Sequence, residues 1–122
     1  MIRRRIVNAA TAAYVPDERY GEPVAGMNWC NISYDRDTGL GSFLLRMDPG
    51  TSSRPHEHVD FEEFFVIDGA LIDDDGVVFR TGDFVSFRPG SKHWSTTEEG
   101  CTLAVFLRRP NRRLAKEELP AP

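Results

Sequence analysis

Short apolar runs separated by turn-forming residues occupy the chain from residue 29 to residue 107. They recur at intervals of roughly 8 to 12 residues, which is the spacing of strands in β-sandwiches and β-barrels. No part of this region has the periodicity of an amphipathic helix. The pattern predicts an all-β domain of about nine or ten strands. The runs that mark its strands lie at residues 29–34, 42–47, 61–67, 70–72, 77–79, 84–87, 93–97 and 102–107.

The flanking segments are less regular than this central region. Residues 8–27 mix Ala, Tyr, Pro and Gly, which predicts a loop that can include a short strand. Residues 108–122 begin with closely spaced arginines and end in a Pro-rich stretch, which predicts a solvated tail or a short helix. We expect a single domain over residues 1–122, with a barrel that spans about residues 26–107.

Several predicted strands are apolar on both faces, and residues 64–67 are apolar without interruption. An exposed sheet would alternate apolar and polar residues, so these strands should be covered on both sides. A closed barrel covers only one face with its own core. A second sheet or a partner subunit must cover the other face, and on this ground we expect a homodimer.

Composition and charge exclude several classes of function. With 122 residues, 40% of them hydrophobic, the chain can bury a core without disulfides. Its net charge of -4 argues against nucleic acid as a partner. No apolar run approaches the roughly 20 residues that cross a bilayer, and no secretory core follows the basic N-terminus. Cys30 and Cys101 form no framework of spacings, so we expect reduced thiols in a cytoplasmic protein without membrane contact.

The chain has only three histidines, and their spacing indicates a metal site. His56 and His58 are two residues apart, so on a strand both side chains point to the same side. Glu62 begins the next apolar strand and can enter that side if the two strands pair across a short turn. His93 follows a Pro-Gly break further along the chain. Imidazoles and a carboxylate from different strands suit iron, manganese, zinc, nickel or copper, although ordinary hydrogen-bonded histidines are an equal alternative on spacing alone.

A frame of glycines around these residues resembles the first sequence motif of the cupin superfamily. Five residues separate Gly50 from His56, and three separate His58 from Glu62. Six more residues lead from that glutamate to Gly69. All of these intervals match the motif.

A second frame resembles the second cupin motif. Five residues separate Gly82 from the break at residues 88–90, and two more lead to His93. The chain departs from the motif at Arg88, where cupins usually have proline, and at Thr97, where they usually have asparagine. Neither position is a metal ligand, so the departures concern turn geometry.

The resemblance to cupins implies a fold and a metal site. The fold is a double-stranded β-helix, or jelly-roll barrel. The site is one divalent ion (Fe, Zn, Mn or Ni) held inside the barrel by His56, His58, Glu62 and His93. Residues 89–103 are similar, more loosely, to the cupin subgroup that contains the zinc-binding domain of ChrR-type anti-sigma factors and the acetylacetone dioxygenases. We expect no sigma-binding domain beside the barrel.

Three residues near the predicted ligands are candidates for binding a substrate. Arg54 lies two residues before the first histidine, and on a continuous strand it would face the same interior, where a cation can hold a carboxylate or enolate. Alternatively, Pro55 ends the strand and the arginine points to solvent. By the same alternation, Phe64 shares the side of the glutamate, as core or as pocket wall. Ser95 shares the side of the last histidine.

Several kinds of function fit these features. The first is a metal-dependent enzyme, dioxygenase-like or a Lewis-acid catalyst, that acts on a small oxygenated or carboxylated molecule through open coordination positions. The second is a non-catalytic sensor or binding module in which four ligands close a tetrahedron around zinc. A third is an accessory protein whose barrel mainly makes a dimer. We place the enzyme first because short free-standing cupins resemble enzymes more than regulators, which is an argument from fold.

Overall fold

The computed structural model describes residues 1–118, and β-strands are their main secondary structure. The all-β prediction is confirmed. A single turn of 3-10 helix at Lys116–Glu118 follows the last strand. The strands are β1 (Val15–Pro16), β2 (Met27–Asn31), β3 (Gly41–Met47), β4 (His56–Glu57), β5 (Glu62–Asp73), β6 (Val78–Arg80), β7 (Phe84–Phe87), β8 (Lys92–His93), β9 (Ser95–Thr96), β10 (Cys101–Leu107) and β11 (Arg112–Arg113).

The strands form two antiparallel sheets. The larger has the order β1-β2-β3-β10-β5-β6, with β7 and β9 also paired to β5, and the smaller has the order β11-β4-β8. The first half of β5 pairs with β10 and β7, whereas its second half pairs with β6 and β9. This change of partners along one strand curls the large sheet around its apolar face.

The predicted break between residues 61–67 and 70–72 is wrong, because β5 runs through both segments. Leu103 of β10 pairs with Val66 while Thr102 pairs with Asp68, so one residue of β5 is left over as a β-bulge. Gly69 follows with a φ of 78°. A bulge bends a strand without ending it, and an Asp-Gly pair is compatible with either outcome.

The core consists of the inward side chains of the central strands. On β10 the buried residues alternate, since Leu103, Val105 and Leu107 are buried while Phe106 is exposed. The same alternation buries Phe64 on β5, whereas β3 buries three residues in succession, Phe43 to Leu45. On β10 and in the first half of β5, the period of two therefore places one face of the strand in the core.

The outer face of the sheet carries exposed aromatic side chains. Phe65, Phe84 and Phe106 are 39%, 60% and 45% exposed, and the last two rings stack with their centroids 6.3 Å apart. Residues 1–118 cover this face only in part, because Leu44 on the same face is buried while the three aromatic rings are exposed. The homodimer that would cover these rings stays a prediction.

The described segments on either side of the barrel contain short strands. Residues 8–27 contain the short strand β1, which pairs with β2. Arg112 and Arg113 are exposed, as expected of a solvated segment, and the short helix is present as the 3-10 turn at residues 116–118, but the two arginines also form β11, which pairs with β4 and was not expected. The buried side chain of Leu114 and the ion pairs of Arg112 with Glu57 and Glu118 accompany this pairing. The end of the predicted tail, residues 119–122, lies outside the described residues.

Two further observations bear on the sequence-based expectations. Cys30 and Cys101 are both free thiols. Within residues 1–118, no helix has the length and apolar character that a bilayer crossing requires.

Candidate functional site

The four predicted ligands meet at one point of the structure. One donor atom from each of His56, His58, Glu62 and His93 lies within 4.8 Å of the others. The pairing of β4 with β8 places His56 directly opposite His93. The expected pairing of the two histidines' strand with the glutamate's strand is wrong, since β4 pairs with β8 and β11. The chain instead turns at residues 59–61 and brings Glu62, the first residue of β5, back to the cluster.

Hydrogen bonds fix the orientation of two of the imidazoles. Nδ1 of His56 lies 2.7 Å from the carbonyl oxygen of Arg54. Nδ1 of His93 lies 2.6 Å from Oδ1 of Asp73, which also accepts a hydrogen bond of 2.9 Å from the Ser95 hydroxyl. Each of these Nδ1 atoms faces an acceptor oxygen and must carry the proton. In the neutral rings, Nε2 is therefore left with its lone pair free to bind a metal.

The third imidazole, His58, is held in the same way. Its Nδ1 lies 2.8 Å from Oε2 of Glu62 and 3.1 Å from Oδ1 of Asn111, so this nitrogen also donates. Its Nε2 lies only 2.7 Å from Nε2 of His93. Two lone pairs at that distance repel each other unless a proton or a metal ion lies between them. The donor set thus fits a divalent metal ion.

The charge states of two residues also suit a metal. Burial lowers the pKa of His56 to about 4, so this ring is neutral near neutral pH. Burial alone would raise the pKa of Glu62, but the hydrogen bond from His58 and the neighbouring imidazoles outweigh it and lower the pKa to about 2. Neutral imidazole and ionised carboxylate are the forms that bind a metal, so little proton release opposes binding.

An aromatic side chain packs against two of the histidine rings. Phe87 stacks on His58 with centroids 4.8 Å apart and lies 4.2 Å from the ring of His93. These two histidines are 0% and 6% exposed. A packed aromatic neighbour of this kind limits the rotation of the two rings and shields their faces from water.

Three residues of the cluster, His56, Glu62 and His93, line a cavity of about 130 Å³. The rest of the wall is largely apolar and includes Met27, Phe43, Leu45, Met47, Leu103 and Val105. Polar donors at one side of an apolar cavity are the usual composition of a small-molecule site.

All three sequence-based candidates for substrate binding line this cavity. Arg54 precedes the start of β4, so the continuous strand assumed for it is absent, yet its half-buried side chain still reaches the cavity wall. Phe64 belongs to both the core and the wall. Ser95 is buried with its hydroxyl donated to Asp73. Their role in substrate binding stays a prediction.

The sequence interpretation did not place several polar residues in the site. Asp73 and Asn111 contact the histidines, and Arg19 and Tyr20 line the cavity. Asp73 begins a run of three aspartates that the pattern marks as a turn. The other three lie in segments interpreted as loop or tail. The signal available for Arg19 and Tyr20 was an adjacent basic and aromatic residue in a loop, which is common on any surface.

Asp73 should position His93, and we expect Asp73→Asn to weaken metal binding by about 10- to 100-fold, as for other partners of ligating histidines. An amide can donate to Nδ1 and so favour the wrong tautomer of the ring. Competition with a chromophoric chelator measures the affinity. Asp74→Asn is the matched control, since Asp74 is exposed and neighbours the same strand end.

The control also tests a second grouping. Asp73, Asp74 and His93 form another set of donors close enough to hold an ion. If Asp73→Asn and Asp74→Asn lose the same amount of metal affinity, the ion is held by this second set of donors. Unchanged affinity in Asp73→Asn would remove its positioning role.

Comparisons with known proteins identify a matching sequence family and structures of similar fold. The sequence profile of the ChrR cupin-like domain family matches residues 3–110. No curated protein sequence matches the chain. An acetylacetone dioxygenase from Acinetobacter johnsonii superposes with a TM-score of 0.79 at 15% identity, covering 98% of this chain and 83% of that one. The polyketide cyclase RemF from Streptomyces resistomycificus superposes with a TM-score of 0.69 at 20% identity, covering 97% and 89%. At these identities the likeness shows a shared fold.

Proposed function

The chain belongs to the family of ChrR cupin-like domains, and we propose that it is a metal-dependent enzyme acting on a small oxygenated or carboxylated molecule. The observation that carries the proposal is the position of the donor cluster in the wall of a largely apolar cavity. An ion with a purely structural role needs no adjoining space for a ligand.

One divalent ion would be held by His56, His58 and His93 through Nε2, with Glu62 as the fourth ligand. Iron, zinc, manganese and nickel all accept such a donor set. When bound, the ion would supply Lewis-acid chemistry at a carbonyl or carboxylate oxygen, or oxygen chemistry if it is iron. The reaction we favour is dioxygenation, because an acetylacetone dioxygenase shares the fold.

The chain's own residues would bind and orient the substrate. Phe64 and the other apolar side chains of the cavity would hold its carbon skeleton and exclude water, which strengthens every polar contact at the donor cluster. Arg54 would approach its oxygen atoms from the cavity rim. Asp73 and Arg54, through its carbonyl, would keep two ligand rings in one tautomer throughout.

A non-catalytic zinc-containing sensor or binding module is the second candidate. Two observations favour it: the family carries the ChrR name, and His58 and His93 are almost fully buried. Four protein ligands in a closed tetrahedron leave no position for a substrate.

The coordination number separates the two candidates. Metal-free protein is loaded separately with Fe(II), Mn(II), Ni(II) and Zn(II), and X-ray absorption gives the coordination of each form. The enzyme proposal predicts five or six ligands including exchangeable water for at least one ion. It also predicts that this form consumes a member of a panel of β-dicarbonyl and carboxylated compounds, with metal-free protein as the control. Four protein ligands without exchangeable water in every form, together with no turnover, would favour the sensor.

A further inference from the structure

Arg19 is a buried arginine in the wall of the same cavity. It lies in the loop between β1 and β2, and its side chain is only 7% exposed. The cavity that it lines is also lined by His56, Glu62 and His93. A guanidinium is among the groups least often buried, so its place beside the donor cluster requires a physical reason.

The hydrogen bonds of Arg19 leave one nitrogen without a partner. Nε and Nη2 donate to the two carboxylate oxygens of Asp17 over 2.9 and 2.7 Å. Because the guanidinium is planar, the N–H groups of Nη1 point away from that carboxylate. Nη1 is buried and has no hydrogen-bond partner among residues 1–118. A buried donor left unsatisfied is costly and uncommon, and a missing ligand is a frequent explanation.

Aromatic rings hold the guanidinium in place. Its carbon Cζ lies 4.0 Å from the ring centroid of Phe43, 5.0 Å from that of Tyr20 and 5.5 Å from that of Trp29. Cation–π contacts and the paired carboxylate together fix its orientation. The unpartnered Nη1 is thus held in one orientation, and a ligand would have to reach it from the cavity that Arg19 lines. A donor already held in place loses little further entropy when it binds.

The charge balance of the cavity favours an anionic ligand. The lining contains three carboxylates (Asp17, Glu22 and Glu62) and three guanidiniums (Arg19, Arg54 and Arg113), whose charges cancel. A divalent ion at the donor cluster would leave two net positive charges. A small anion would compensate part of this charge inside a site of low dielectric constant.

We propose that Arg19 binds the substrate and that its Nη1 donates a charge-assisted hydrogen bond to a carboxylate of a small organic acid. The inference rests on the proposed function, because it places the substrate in the cavity beside the ion. It goes further by selecting a carboxylated ligand and by assigning its recognition to a residue outside the motif.

The test compares small carboxylates with their neutral amides. Acetate, pivalate and benzoate, each with its amide, are titrated calorimetrically into zinc-loaded and metal-free protein. We expect at least one carboxylate to bind the zinc-loaded wild type at least about 10-fold more tightly than its amide, as a charge-assisted hydrogen bond allows. The metal-free protein should keep part of this preference.

Two variants of Arg19 examine its role. In Arg19→Lys, the ammonium group can still pair with Asp17, but it lacks the planar guanidinium that donates to two partners at once. The affinity of this variant for the carboxylate should therefore fall about 10-fold, while its affinity for the amide should change less than about twofold. The double variant Asp17→Asn/Arg19→Met removes both charges and so avoids a buried unpaired carboxylate; it should lose the carboxylate preference as well. Arg36→Lys is the matched control, because Arg36 is exposed and its guanidinium also lies near Trp29, at 5.6 Å.

The outcomes separate this inference from the proposed function. Equal losses of affinity for the carboxylate and for its amide in the Arg19 variants would assign this residue a structural role. A wild-type protein that binds no carboxylate more tightly than its amide would overturn the proposal. If none of Fe(II), Mn(II), Ni(II) and Zn(II) is bound but the Arg19-dependent preference persists, the proposed function fails and the assignment of a carboxylate site to Arg19 stands. If the ion has exchangeable water but the preference is absent, only the inference fails.

Discussion

A His93→Ala protein is expected to purify with less than about 0.1 divalent ions per chain, whereas the unchanged protein should hold about one. His93 lies opposite His56 in the strand pairing, and its Nε2 is 2.7 Å from that of His58. Removing it therefore takes away a donor that adjoins both other imidazoles. It also leaves Asp73 buried without the imidazole that it orients. Elemental analysis after dialysis against a stated metal concentration measures the occupancy.

Lys92→Ala is the matched control for this experiment. Lys92 is the other residue of β8, and it is exposed. Its variant should keep the full occupancy, because the strand pairing with Glu57 uses only backbone atoms. Circular dichroism of both variants checks that the sheets remain. Full occupancy in a folded His93→Ala protein would remove this histidine from the metal site.

The clustering of the four candidate ligands could be predicted because its signal is local in sequence. The interval between His56 and His58, and the glycines at fixed distances from Glu62 and His93, all lie within residues 50–97. The pairing that actually joins them could not be predicted. Strand β4 has two residues, which is too short to show any alternation.

Residues that support the ligands lacked such a signal. Asp73 lies 20 residues from His93 along the chain, and only the pairing of β5 with β9 brings them together. Asn111 is 53 residues from His58 and belongs to a segment interpreted as tail. Contacts of this kind depend on where the barrel closes, and a single sequence does not encode that in any short pattern.

Arg19 illustrates the same limit for the cavity. Its own segment is irregular, and nothing near it in sequence distinguishes it from the other arginines of the chain. Its burial follows from packing against Phe43 of β3 and Trp29 of β2, which are brought side by side by the sheet. The apolar strands could be predicted because the burial of a strand face leaves several apolar residues in a regular pattern along the sequence. A single polar side chain that enters the core leaves no such pattern.

Gly69 connects the sequence motif to the geometry of the site. It has a φ of 78°, and a Cβ atom added there would overlap the carbonyl oxygen of Gly100 and lie 2.9 Å from Cα of Cys101. Both contacts are with backbone, which cannot move aside as a flexible side chain would. Gly82 also belongs to the motif frame and has a φ of 94°, but a Cβ there would have no neighbour within 4 Å.

We therefore expect Gly69→Ala to lower the free energy of unfolding by about 3 kcal/mol or more, since left-handed strain and overlap with the backbone add. Gly82→Ala should lower it by only about 1–2 kcal/mol, the cost of a left-handed alanine. Urea unfolding of the metal-free proteins measures both, because a bound ion would add its own stabilisation. If both variants lose the same free energy of unfolding, the backbone at Gly69 and Gly100 can move apart at little energetic cost.

The Gly69→Ala and Gly82→Ala variants should also differ in their affinity for the metal ion. Strand β5 carries Glu62 at one end and Asp73 at the other, and Gly69 lies at the bend between them. A shift of this bend would move the partner of His93 relative to the ligand Glu62. Gly82 lies in the turn between β6 and β7, which contains no residue of the cluster. We expect chelator competition on the folded proteins to show weaker binding in Gly69→Ala and wild-type binding in Gly82→Ala. Unchanged affinity in both would mean that the smaller sheet, β11-β4-β8, holds the site without help from the bend.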